Sequence, residues 1–410
     1  LLLFGVLACN DPRESNVTVK PLDVSNDVAA TASTDVVDAR GLMVQPGTNR
    51  ILVDVIVSDR SARHTERALV AYDVSGEIDA TFGDKGLLRL HADETAKTAI
   101  DPEGDIVLQY ASASGIGLRR YDASGRLDPA FGDHGEVETS MGEGARPRGA
   151  AFASDRGVIA YGRTLGQSGV QIERYTADGH PDPAATDLKI RGCGDDGAIV
   201  RAPAMSLFLG DQLVLGGAGP GGFDVARFGR EGDRDPFFGD DGRATVPGDE
   251  ISIARGTIDG EKRLLFAGLS SRDCPAIAVA RLTAGGRPDR AFGATGYARI
   301  CDDKRRTIDA IAADERGRLV VAAHTPSGVV SLLRLDEDGR RDRAFASGGY
   351  ENVAFTDGAG RTIALATMSD GSVLQLGETT VGSTTHVTLG RFLEDGAWDP
   401  GFAAARFRRQ

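Results

Sequence analysis

The chain has 410 residues and a formal net charge of −13, from 47 Lys and Arg against 60 Asp and Glu. No dense basic stretch offsets that balance, so nucleic acid is excluded as a natural partner. Length alone would suggest two or three domains, but a single repeat runs unbroken from about residue 36 to the C-terminus, which predicts one large domain.

The first nine residues are an apolar run too short to cross a bilayer as a helix, and they fit the end of an export signal. Val6-Leu7-Ala8-Cys9 resembles a bacterial lipobox, in which the signal is cut before the cysteine and the new N-terminus is lipidated. We therefore read residues 1–8 as a truncated lipoprotein signal segment and Cys9 as the lipid attachment. Residues 9–34 then form a tether, rich in Asp, Ser, Thr and Asn, that also holds a candidate closing strand. Residues 35–410 are the repeat domain.

Two glycine signals mark each unit. The first is a turn at Gly47, Gly104, Gly157, Gly210, Gly260, Gly317 and Gly371, followed by β-rich runs such as Gln212-Leu-Val-Leu and Arg318-Leu-Val-Val-Ala-Ala. The second anchors a motif repeated seven times at intervals of about 53 residues. It reads Arg, four residues, Gly, two residues, Asp, two residues, Phe, as in Arg281, Gly286, Asp289 and Phe292. With one run before the first turn and one after the motif, each unit has four strands. Four-stranded units at this period predict an all-β, seven-bladed β-propeller with four antiparallel strands per blade.

Each part of the motif has a physical reason. Gly supplies a positive φ, Asp caps a helical turn that Pro opens in four copies, and the turn delivers Phe into the core. The third copy lacks the aromatic, having Ala185 and Thr186 where Phe and Gly are expected, which predicts looser packing there. Arg is expected to bond turn carbonyls or the motif Asp, although the first copy has Ala71. Calcium held by the motif carboxylates is the alternative, weakened because the residue before the anchor Gly varies from Ser to Gly to Asp. On these residues the repeat resembles the bacterial delta-60 repeat family. That resemblance implies an exported, propeller-like protein and carries over no catalytic residue. The seventh motif ends close to residue 410, so the ring closes either through residues 405–408 or through an N-terminal strand in 16–22 or 28–31, of which the N-terminal strand is the expectation.

Near the start of each first strand stands a cation: Arg40, Lys97, Arg148, Arg201, Arg255, Arg306 and Arg361. Innermost strands line the channel of a propeller, so these would ring one mouth and bind an anion, unless acidic neighbours such as Asp38, Glu94 or Asp309 pair with them. Cys274 and Cys301 lie at ends of antiparallel strands that meet, which predicts a disulfide. Cys193 has no evident mate, and the absence of Cys-x-x-Cys leaves zinc unsupported. Six scattered histidines read as surface or loop residues, and Gly217-Ala-Gly-Pro-Gly-Gly222 as a flexible turn. Trp398 reads as packing.

The functional expectation is a non-catalytic, lipid-anchored and monomeric binding or interaction propeller of the bacterial cell envelope, periplasmic or at the cell surface. Its membrane contact is through the lipid anchor, and its partner is a protein, a glycan or a small anionic ligand. No cofactor or metal ligand set is assigned. The rival is a propeller enzyme, of lactonase or sugar dehydrogenase type with calcium or a quinone, whose mark would be carboxylates or histidines with shifted pKa converging in the channel. A purely structural envelope protein is the third class.

Overall fold

Seven sheets form the blades of a seven-bladed β-propeller, each built on four antiparallel strands, with a fifth, parallel strand added to one of them. The computed structural model describes residues 16–19, 22–25, 27 and 34–402, apart from 60–64, 91–94, 165–169, 183–187, 191–202, 210, 220–221, 230–232, 247–250, 272–273, 302–305, 356–358 and 382–383. Blade one shows the plan: Thr34–Gln45 innermost, then Arg50–Asp59, Thr65–Tyr72 and, outermost, Leu87–Arg89, each antiparallel to its neighbour. The glycine turn joins the first two strands and the motif joins the last two, so both lie on one face. Loops from second to third strand, and from blade to blade, lie on the other.

The middle strands are rich in Val, Ile, Leu and Ala without polar alternation because neighbouring blades cover both their faces. Ala276–Leu282 is buried at every position. The apolar side chains fall into seven clusters, one at each seam between adjacent blades.

The motif is an inter-blade clamp. In blade five, Arg281 pairs with Asp289 at 2.8 Å, lies 4.5 Å from the Phe292 ring centroid, and donates to the Glu337 carbonyl of blade six at 2.7 Å. The same bridge to the next blade is made by Arg120, Arg227, Arg334 and Arg391. Blade one, with Ala71 at the arginine position, uses Arg50 from the neighbouring strand instead: it pairs with Asp79 at 2.7 Å, donates to the Ala123 carbonyl at 2.7 Å and lies over Phe82. The anchor glycine is required twice over. At Gly286 φ is +78°, and an added Cβ would come within 2.8 Å of the Gly239 nitrogen of the preceding blade. Asp289 serves the seam with both oxygens, one taking the Ala291 N–H at 3.1 Å and the other the arginine at 2.8 Å. The positions of Ala185 and Thr186 lie outside the described residues.

Closure uses the N-terminus. Leu22–Asp23 pairs antiparallel with Thr384–Phe392 as the fourth strand of blade seven. Val24 is buried beside it, and the Ser25 hydroxyl accepts the Val387 N–H at 3.1 Å. Arg391 donates to the Val74 carbonyl of blade one at 2.7 Å, completing the circuit. The single strand expected over 16–22 is in fact divided. Asn16–Val19 runs parallel to Tyr350–Phe355 as a fifth strand of blade six, and only the following pair reaches blade seven. The other two candidates, 28–31 and 405–408, lie outside the described residues.

Candidate functional site

The innermost strands border the channel, and those of blades two and three, and of blades four through seven and on to one, touch their neighbours. Six of the seven carry a β-bulge at one common register, with Arg40, Arg148, Ala204, Ala254, Asp309 or Ile363 as the extra residue. The bulges show that the seven basic residues do not share one structural position. Arg40 and Arg148 occupy the bulge itself. Lys97, opposite Gln109, and Arg255, opposite Ala267, take the following position. Arg361 comes two residues before the bulge. Arg306 comes three before it and is only 7% exposed, over the Tyr350 ring at 5.5 Å and bonded to the Ser331 hydroxyl. It therefore belongs to the wall between strands and not to the mouth. Arg201 lies outside the described residues.

The cations divide into two arcs. Across blades one to three, Arg40, Lys97 and Arg148 are all exposed. Arg40 pairs with Asp38 at 2.9 Å, whereas no described carboxylate forms an ion pair with Lys97 or Arg148. Asp54, the acid whose charge acts on Lys97, is committed to a buried two-pronged pair with Arg67 at 2.7 and 2.6 Å and to the Thr98 hydroxyl at 2.8 Å. Burial lowers the Lys97 ammonium below the ordinary lysine value. Arg67, Arg40 and Arg148 push in the same direction, against Asp54. An excess of positive charge is thus concentrated at one side of the mouth.

Across blades five to seven the charges are matched. Arg361 donates twice to Glu378, at 2.9 and 2.7 Å, and Arg255 donates to the Asp309 carbonyl at 2.5 Å. Asp309 is buried, bonds His324 Nδ1 at 2.7 Å and accepts the Thr362 N–H at 3.3 Å. Burial raises the Asp309 carboxyl above the usual aspartate range, despite the opposing pull of His324 and Arg255. His324 was expected on the surface or in a loop. It ends the second strand of blade six, Leu319–His324, with its side chain only 26% exposed. Sequence reading missed this dyad because the bulge, invisible in the repeat, turns Asp309 toward it. Among the described residues His324 bonds only Asp309, so no nucleophile completes a catalytic set, and no cluster of three or more His, Cys, Asp and Glu forms a metal site.

The remaining candidates are structural. Cys274 and Cys301 form the expected disulfide, Cα to Cα 5.9 Å. Cys9 and Cys193 lie outside the described residues. Gly219 pairs with Gly222 across a hairpin between two strands, so no helix follows the glycine-rich turn. Trp398 packs edge-on against Phe392 at 5.3 Å. A cleft of about 690 Å³ on the motif face, between blades six and seven, is lined by clamp residues including Arg334, Asp342 and Glu394.

No family model and no curated sequence matches the chain. Solved structures resemble it only distantly. Hydrazine synthase of Kuenenia stuttgartiensis is 12% identical, with 86% of this chain and 96% of that one covered at a TM-score of 0.46. Prolyl oligopeptidase B of Galerina marginata is 11% identical over 87% of this chain and 48% of that one, TM-score 0.49. Drosophila Plexin A in complex with Semaphorin 1b gives 10%, 92%, 88% and 0.46 for the same quantities.

Proposed function

We propose that this chain is an exported, lipid-anchored propeller of the delta-60 repeat type that binds an anionic group at its channel mouth without catalysis. The observation that carries the reading is the arc of blades one to three, where Lys97 and Arg148 stand exposed beside Arg40 with no described ion-pair partner. Like charges held together in this way are relieved by a bound anion, and arginine adds a fork suited to carboxylate, phosphate or sulfate. The ligand is a small anion or an acidic group on a glycan or protein, met by one propeller acting as a monomer. The disulfide favours an oxidising compartment, and the lipobox-like run ending at Cys9 supplies the anchor.

The experiment is calorimetric titration with acidic oligosaccharides, dicarboxylates and sulfate at fixed ionic strength. One class is expected to bind saturably, and the double change Lys97→Ala with Arg148→Ala is expected to weaken it about tenfold or more. Equal affinity in the double variant rules out this arc as the site.

A further inference from the structure

The second arc carries a different potential. We infer that His324, Arg255 and Arg361 form a separate oxyanion site on blades five to seven, engaged when His324 is protonated. All three are organised by the strand that bears Asp309. His324 bonds its carboxylate, Arg255 bonds its carbonyl, and the N–H of Thr362, next in chain to Arg361, bonds its second oxygen. Asp309 thus fixes the imidazole through Nδ1 and leaves Nε2 as the unbonded edge among the described residues, with part of the ring reaching solvent. Both arginines are exposed, and both lie within electrostatic reach of Asp309.

The charged groups linked through Asp309 determine what a proton on the imidazole would change. Asp309 faces it from the innermost strand of its own blade; Arg255 of blade five acts on that carboxylate, and Arg361 of blade seven, paired with Glu378, lies in the fields of Asp309 and of Asp38 of blade one. Asp309 and Glu378 balance the two arginines while the imidazole is neutral. A proton on Nε2 adds one positive charge and one outward donor, as an oxyanion requires. The ligand class is a sulfate, phosphate or carboxylate group, and the site is distinct from Lys97 and Arg148.

Sulfate is the appropriate probe because its own charge is constant across the range in which histidine titrates. The full chain carrying Cys9→Ser, with Lys97→Ala and Arg148→Ala to silence the first arc, is titrated with sulfate at pH 5.5 and pH 8 while the His324 imidazole resonances are followed by NMR. The inference expects sulfate to shift those resonances, to raise the midpoint of their titration, and to bind about fivefold or more tightly at the lower pH. His324→Gln abolishes the pH dependence, and Arg361→Gln, a change at an exposed side chain, weakens binding at pH 5.5 with the fold intact. Unmoved His324 resonances, or equal affinity at the two pH values, overturns the inference. Failure of the first arc appears only in the Lys97 and Arg148 experiment, so the two readings stand or fall separately.

Discussion

Arg50 does the work of an absent residue, and its position shows what the motif is for. The constant feature of the repeat is a guanidinium placed over the aromatic, paired with the Asp and aimed at the next blade, whichever strand provides it. Arg281→Ala removes all three contacts in a site where the arginine is 1% exposed and leaves Asp289 without its counter-charge. Chemical denaturation is expected to show a loss of about 3 kcal/mol. Asp79 tests the same clamp through pH. Burial would raise its carboxyl, but hydrogen bonds from Thr81 and Arg50 outweigh burial and hold it below 3.8. Because the folded value is the lower one, the stability that ionised Asp79 contributes is present above the unfolded value and is lost as pH falls through the folded one. Asp79→Asn should therefore destabilise the chain at neutral pH, and the difference from the parent should shrink through the acid limb of a pH series of denaturant melts. A difference that persists unchanged into acid would count against the ion pair.

At the scale of elements, the strands, the two turns and the disulfide were legible in the sequence, because each rests on local chemistry repeated in register. Gly286 and Asp289 announce their turn by residue type, and Cys274 and Cys301 fall at strand ends that antiparallel pairing brings together. The candidate site was legible only in part. A bulge adds one backbone residue without a sequence signature, so Arg40 and Arg148 share a position that Arg255 and Arg361 do not, and the Asp309 to His324 pair depends on that shift. Two measurements follow at this scale. Reducing the disulfide reopens a loop of 26 intervening residues and is expected to cost roughly 3 kcal/mol in a denaturant melt. Deleting residues through Asp27 removes the closing strand and the buried Val24, and calorimetry should show a lower and broader transition than deletion through Glu14, which spares them. Coincident transitions would mean that closure does not depend on Leu22–Asp23.

Over the whole molecule, the clamps and the N-terminal strand join blade seven to blade one, so the repeat has no terminal unit left exposed as an open array would. The two faces divide the labour. Arginine and aspartate on the motif face are consumed in holding blades together, whereas the opposite face carries Lys97 and Arg148, which no described carboxylate pairs. The central claim is that the charge left over at Lys97 and Arg148 serves a ligand. Thermal unfolding of the Cys9→Ser chain tests it most directly, against a panel of sulfate, dicarboxylates and acidic oligosaccharides at fixed ionic strength and at pH 8, where the His324 site is expected to be weak. A saturable rise in the midpoint with one anion class, absent from the Lys97→Ala and Arg148→Ala double variant, is the predicted result. No rise with any anion, or a rise that the double variant retains, would contradict it.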